Sequence, residues 1–173
     1  MLSSENIYLR GLETADLQFL YDWENDTDNW EVSGTLTPYS KDILKSFIDN
    51  SDKDIYSTKQ YRFIICYKSN LPIGTIDLFD FDPHHLRAGV GILIGNKEFR
   101  GRGFSTEALK LLIDYCKKTL KLTSLFCTIE ESNIPSIKLF ERLNFNKSGL
   151  KYNWIRKNDG KYYDVGFYQL MLL

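Results

Sequence analysis

Ten residues in the middle of the chain, Phe99 to Ala108 (FRGRGFSTEA), do most to limit how it can fold. Two glycines alternate with two arginines, and a Ser-Thr-Glu helix start follows at once. Glycines just before a helix let the backbone turn tightly and let a ligand approach it closely. The helix then offers N–H groups without intrahelical partners and the positive end of its dipole. Together these features make an anion site, most often one for phosphate. Two common phosphate motifs do not match. No lysine follows Gly103, as a P-loop requires, and Thr106 stands where a dinucleotide fingerprint has its third glycine. A tight turn with no ligand accounts for the same residues, so the surroundings must decide.

Upstream, Ile7–Leu9 reads as a short strand, and Thr14 and Asp16 introduce a helix carrying Leu17, Leu20, Tyr21 and Trp23. A second helix is expected from about Ser40 to Asp49. YRFIICY, IGTIDLFDF and AGVGILI read as three strands joined by hairpin-like links, an antiparallel meander. Beyond the glycine turn, Phe104, Ala108, Leu111, Leu112, Tyr115 and Thr119 recur at helical spacing and predict a helix from about Ser105 to Leu120. SLFCTI is nearly all apolar, which predicts a strand buried on both faces. NIPSIKLFERLNF reads as a short helix with Asn133 near its cap. Asn158-Asp159-Gly160 separates two final strands as a hairpin turn. No linker, repeat or low-complexity segment interrupts this order, and the expectation is one mixed α/β (α+β) domain over residues 1–173.

Bulk properties exclude several classes. The chain has 173 residues, 43% of them hydrophobic and 26% charged, a globular composition with ample length for a core. Its formal net charge of -1 supports neither nucleic acid nor a membrane surface as partner. No apolar run nears the roughly 18 residues of a membrane span, and no secretory signal is visible, so a cytoplasmic location is expected. Cys66, Cys116 and Cys127 form no CxxC pair and have no histidine at metal-ligand spacing; they are read as buried reduced thiols, with no metal site.

The glycine turn leaves a strand that itself contains glycines, GVGILIG, and the next strand ends in EESN before another helix. Here the sequence resembles the GCN5-related N-acetyltransferase (GNAT) family. Arg100-Gly101-Arg102-Gly103-Phe104-Ser105 is similar to that family's Gln/Arg-x-x-Gly-x-Gly/Ala pyrophosphate loop, with Ser105 in the last small position. NIPSIKLFERLNF is similar to its later Asn-x-x-Ala/Ser-x-x-Leu-Tyr/Phe-Glu-x-x-Gly-Phe segment. The likeness covers nearly the whole chain. It is greatest to the branch of ribosomal-protein N-terminal acetyltransferases and bacterial spermidine acetyltransferases. It implies a mostly antiparallel sheet with about four helices, in which the strands holding Val90–Ile94 and Leu125–Ile129 run parallel and splay apart. Acetyl-CoA would enter that splay. Ile92, Leu93 and Ile94 would meet the pantetheine arm. Arg100, Gly101, Arg102, Gly103, Ser105 and Thr106 would hold the pyrophosphate, and Asn133, Ser136 and Phe140 would face the CoA arm. A plain helix cap is the alternative reading of Asn133. The backbone N–H near Ile94 would stabilise the tetrahedral oxyanion.

Two positions depart from the family pattern. Gly89 stands where many members carry a glutamate base, and Phe140 where many carry a tyrosine acid. A thiolate with a pKa near 8.5 leaves without a strong acid, so the second loss is tolerable. Asp77 and Asp80 are the remaining base candidates, and strand alternation puts them on opposite faces. Asp82, His84 and His85 fill the next turn and read as surface residues. No Cys-His or Ser-His-Asp spacing points to a covalent route. The acceptor signal lies in Asp22–Glu31: five carboxylates in ten residues, no lysine or arginine, and Trp23 and Trp30 among them. Such a stretch suits a cationic amine through charge and cation–π contact, with Glu24, Asp26, Asp28 and Glu31 as candidate substrate ligands; a solvated surface loop fits the same residues. The leading function is therefore acetyl transfer from acetyl-CoA to a small cationic amine such as a polyamine. A protein N-terminus as acceptor and a non-catalytic acyl-CoA sensor are the alternatives, and association into a homo-oligomer fits either.

Overall fold

The computed structural model describes residues 2–51 and 53–172, with the side chains of Glu31 and Val32 outside the described set. Strands β1 (Leu2–Ser3) and β2 (Ile7–Arg10) lead through a 3-10 turn at Thr14–Asp16 into four helices. These are α1 (Leu17–Glu24), α2 (Thr27–Ser33), α3 (Lys41–Asp49) and α4 (Ile55–Thr58). Strands β3 (Tyr61–Tyr67), β4 (Leu71–Asp82) and β5 (Arg87–Ile94) form the meander. After a second 3-10 turn at Lys97–Phe99 come α5 (Phe104–Lys118), β6 (Ser124–Glu130), α6 (Ile134–Arg142), β7 (Asn146–Arg156) and β8 (Tyr162–Met171). The strands make one sheet in the order β1-β2-β3-β4-β5-β6-β8-β7. Every neighbouring pair is antiparallel except β5 with β6. The expected mixed sheet with a central parallel pair is the observed one.

Period-two alternation sorts side chains onto the two faces of this sheet. On one face Phe63, Ile65, Ile76, Leu78, Val90, Leu125 and Cys127 pack against Phe104, Ala108, Leu109 and Leu112 of α5 and Phe140 of α6. On the other, Ile64 and Cys66 meet Leu20 and Trp23 of α1 and Leu44 and Ile48 of α3. That second core draws on β2 and β3, with Leu93 of β5 packed at its edge.

Two expectations need correction. The acidic stretch Asp22–Glu31 is mostly helical rather than a loop. Asp26 caps α2 by accepting from the Asp28 N–H at 3.1 Å, and Gly34 closes it at φ 71°. Strand β6 is buried on one side only: Leu125, Cys127 and Ile129 are buried, while Phe126 is half-buried and Thr128 exposed. Its apolar run reflects an aromatic row on the open face. Phe126 lies edge-on to Phe79 of β4 at 5.9 Å and stacks on Phe167 of β8 at 5.5 Å. Helix α4 and strand β1 are short elements that carry no periodic signal of their own. Among the described residues no helix is long and apolar enough to cross a membrane, and no cluster of His, Cys, Asp and Glu could hold a metal.

The β4–β5 turn is built around Asp82, whose carboxylate accepts from the His84 and His85 N–H groups and from His85 Nδ1 at 2.8–3.0 Å. Those bonds from His85, backbone first, lower its pKa to about 2. The turn's contribution is thus complete above the ordinary carboxyl value near 3.9 and is lost as pH falls through about 2. A carboxyl-carbon NMR titration should find the Asp82 midpoint near 2; a midpoint near 4 would show the turn to be open. A second expectation concerns Gly89, where an added Cβ would lie 2.2 Å from the Phe79 ring. Gly89→Ala should cost about 1–3 kcal/mol in urea denaturation through overpacking. In a Phe79→Ala background the same change should cost less than about 0.5 kcal/mol, because the two sites are in contact.

Candidate functional site

Strands β5 and β6 are paired over three positions only, Arg87–Gly89 with Ser124–Phe126. Beyond them Val90–Ile94 and Cys127–Glu130 diverge, and the facing edges make no ladder with each other. Main-chain donors and acceptors in such a gap need outside partners. From the end of β5, Gly95–Asn96 and the 3-10 turn Lys97–Phe99 lead directly into the glycine turn. Gly101 and Gly103 have φ of 72° and 86°, and no atom lies within 4 Å of where a Cβ would stand at either. Open concave backbone of this kind at the start of the fifteen-residue helix α5 fits a pyrophosphate.

The turn's side chains divide their roles. Arg100 Nε donates to the Ile94 carbonyl at 2.8 Å and Nη2 to Asn29 Oδ1 at 3.1 Å, so this arginine fastens the end of β5 to α2. Arg102 is exposed, with its guanidinium 5.5 Å over the Phe99 ring. The Thr106 N–H, proposed from sequence as a phosphate donor, turns back to the Gly103 carbonyl at 3.0 Å; the Glu107 N–H does the same at 3.2 Å. Ser105 is half-buried in the first turn. Burial opposes the Glu107 charge, yet bonds from Ser4 and Asn6 outweigh it and hold the carboxyl below its ordinary range. On α6, Asn133 Oδ1 accepts from the Ser136 N–H at 3.3 Å, the helix-cap geometry. Phe140 is buried edge-on against Phe145 at 5.0 Å, as a core residue. On β5, Ile92 and Leu93 are half-buried and Ile94 is buried.

The acidic stretch has the basic partners its sequence lacks. Lys97 Nζ lies 2.9 Å from Asp26 and 2.7 Å from Asp28. That bond from Lys97 is the main reason the Asp26 carboxyl sits below its ordinary range. Glu24 accepts from Arg62 Nη1 at 2.5 Å. The Glu31 side chain lies outside the described residues. Asp80 is exposed at φ 48° in the irregular end of β4 and meets none of the others.

Asp77 is placed differently. Both its oxygens accept from Arg62, from Nε at 2.7 Å and Nη2 at 2.8 Å. Arg62, Asp77 and Gly91 stand directly across from one another on β3, β4 and β5. They face the same side as the second core. With Glu24 from the end of α1, Arg62 and Asp77 line a cavity of about 260 Å³ whose other walls include Tyr39, Phe47, Tyr61 and Phe79. Burial disfavours the Arg62 charge, but Asp77 and Glu24 outweigh it and raise its pKa above the ordinary value. Phe79, which walls this cavity, also begins the aromatic row with Phe126 of β6.

Sequence reasoning found Asp77 and Glu24 but missed Arg62 and the aromatic walls. The signal was a lone arginine inside YRFIICY, where a charge on a buried strand calls for a partner. Cys116 and Cys127 are buried, and burial pushes their thiols up to about 12, so neither offers a thiolate nucleophile.

Known proteins share these features. The acetyltransferase (GNAT) domain family matches residues 6–146. An uncharacterized N-acetyltransferase, p20, of Bacillus licheniformis is 30% identical over 98% of this chain and 95% of its own length. The spermidine N(1)-acetyltransferase of Escherichia coli strain K12 is 26% identical over 86% of this chain and 77% of its own. The crystal structure of spermidine N-acetyltransferase from Vibrio cholerae in complex with CoA and spermine has a TM-score of 0.88 at 23% identity, covering 98% of this chain and 97% of that one. At that identity the last likeness speaks for the fold. A family match across most of the chain, a relative similar end to end, and a parallel strand pair that parts before a glycine turn agree: the chain belongs to the GNAT acetyltransferase family.

Proposed function

We propose that this acetyltransferase uses acetyl-CoA to acetylate a small cationic primary amine, of which a polyamine is one candidate. The observation that carries the reading is the acid-lined, aromatic-walled cavity around Arg62, Asp77 and Glu24, with Asp77 paired across from Gly91 in the part of β5 that no longer pairs with β6. Similarity to proteins named as spermidine acetyltransferases supports a polyamine in particular.

Bound acetyl-CoA supplies an activated acetyl carbonyl as a thioester. Gly101, Arg102, Gly103 and Ser105 would hold its pyrophosphate, with Arg102 the exposed cation of the turn. Ile92–Ile94 would present backbone to the pantetheine. The Ile94 N–H would donate to the oxyanion as the amine adds to the carbonyl. Arg100 works at one remove, by pinning the Ile94 carbonyl. Asn133 and Ser136 shape the start of α6. Asp77 and Glu24 draw the ammonium form into the cavity, and aromatic rings favour the same charge.

An alkylamine of pKa about 10.4 is free in only about one molecule in 2500 at pH 7, so its proton must leave before attack. Asp77, with both oxygens already accepting from Arg62, is better suited to placing the amine than to taking that proton. Glu24 shares the same guanidinium. Deprotonation by way of solvent at the open end of the cavity is the route this geometry favours. The nitrogen then sheds its second proton to solvent, and the C–S bond breaks with the electron pair leaving as thiolate, with no acid needed from the Phe140 position.

Thiol release from acetyl-CoA in the presence of a panel of polyamines, monoamines and short peptides tests the reading. A small cationic amine should react best, and a peptide N-terminus reacting far better would overturn it. Gly103→Ala puts a side chain at positive φ in the cradle and should weaken acetyl-CoA binding by more than about tenfold, or 1.4 kcal/mol, in calorimetry. Because Asp28 is neutralised by Lys97 at the surface, Asp28→Asn should leave the amine KM within about twofold. Asp77→Asn should raise it by about tenfold or more, since it removes a half-buried charge partner.

A further inference from the structure

We propose that Arg62 is the specificity-determining and positioning residue of the acceptor cavity. It leaves the cavity one net negative charge, so that the site takes a single ammonium and reads the rest of the acceptor by its apolar body. The inference rests on the amine-acetylation reading above.

Two carboxylates from different elements line this cavity, Glu24 at the end of α1 and Asp77 in the middle of β4. Alone they would offer two negative charges. Arg62 removes one of them with three donors: Nε and Nη2 to Asp77, Nη1 to Glu24. Its side chain is 20% exposed, against 17% for Glu24 and 26% for Asp77, so the cluster is poorly screened by solvent. The fork is held from a third side by the Phe47 ring, 5.4 Å from the guanidinium carbon. Among the described residues no other charged side chain lines the cavity; most of its remaining wall is apolar or aromatic, with Tyr39, Phe47, Tyr61 and Phe79 the rings. Nearby charges are satisfied elsewhere, Asp26 and Asp28 on Lys97 and Lys41 on Gln18 Oε1. The charge count is therefore local to three residues, and the larger part of the wall is apolar.

Arginine is needed for two separable reasons. Its charge sets the count, and its planar fork fixes the orientation of the Asp77 carboxylate through two bonds. Arg62→Met keeps the bulk and removes both. Arg62→Lys keeps the charge and removes the fork.

The test compares butylamine with 1,4-diaminobutane, amines of equal length that differ by one charge. The readouts are kcat/KM for acetyl transfer and Kd by calorimetry, with folding checked by circular dichroism. Wild type should prefer the diamine by no more than about threefold. Arg62→Met should raise that preference by about tenfold, the ratio equivalent to about 1.4 kcal/mol. Arg62→Lys should keep the wild-type ratio while kcat falls for both amines, and a plain structural role would not separate the two variants in this way. An unchanged ratio in folded Arg62→Met, or an equal change in both variants, overturns the proposal. If wild type binds both amines but acetylates neither, the acetylation reading fails on its own, and the Kd ratios still decide the role of Arg62.

Discussion

The parting of β5 from β6 after three paired residues is the constraint on which the rest of the site depends. A gap inside a sheet leaves two edges of main-chain groups without ladder partners, which is unfavourable unless solvent or ligand meets them. The chain holds the gap open from both ends. At the paired end, Phe79, Phe126 and Phe167 form an aromatic row across the strands. At the open end, Arg100 grips the Ile94 carbonyl, and Trp23 of α1 covers Gly95, where a Cβ would come within 2.3 Å of the indole. The divergence is thus packed in place on its concave face, while α5 and α6 cover the other. The glycine turn lies just past the anchored end of β5, so backbone for an anion and open strand edge come from one continuous segment.

Charge is organised by the same tertiary contacts. The run of acids from Asp22 to Glu31 looks like a uniform negative surface in sequence. In the fold it separates into two clusters with different tasks. Asp26 and Asp28 bind Lys97 and, with the Arg100–Asn29 bond, fasten α2 to the segment leading into the glycine turn. Glu24 instead turns inward to Arg62, 38 residues away in sequence. Exposed pairs such as Lys97–Asp28 contribute little to stability, so their value is in register rather than energy. The half-buried cluster is different in kind: removing the guanidinium would leave two carboxylates facing each other in a poorly solvated cavity.

Features set by near neighbours were legible in the sequence, and features set by distant ones were not. Ser40 and Asn133 cap α3 and α6 as their spacing implies, since a cap is a contact within three residues. The glycine turn, α5 and the Asn158–Gly160 hairpin are local in the same sense. Helix α2 was not legible: Thr27–Ser33 has no apolar stripe, and its start at Asp26 is hidden among other acids. The apolar run of β6 gave the wrong burial, because Phe126 packs sideways against Phe79 and Phe167 instead of under a helix. The acceptor cavity draws Arg62, Asp77 and Glu24 from three elements: the two acids were legible as candidates, but their joining by Arg62, across 15 and 38 residues of chain, was not. Arg100 was assigned to phosphate by its place in the motif, whereas its donors go to Ile94 and Asn29.

The two glycines of β5 show how one strand can carry opposite demands two residues apart. At Gly89 the space for a side chain is already filled by the Phe79 ring, so the carboxylate many family members carry there has no room in this fold. At Gly91 the space is free: the nearest atoms to an added Cβ are Phe79 Cε1 at 3.9 Å and the Asp77 Cβ at 4.0 Å. The first glycine lets an aromatic ring close the paired end of the gap. The second leaves the space beside the Asp77 Cβ free of any side chain from β5. Negative charge is therefore supplied one strand over and one row further along, from β4 instead of β5. That displacement brings the charge into the reach of Arg62, which sits opposite Asp77 on β3 and could not pair in the same way with a carboxylate at position 89.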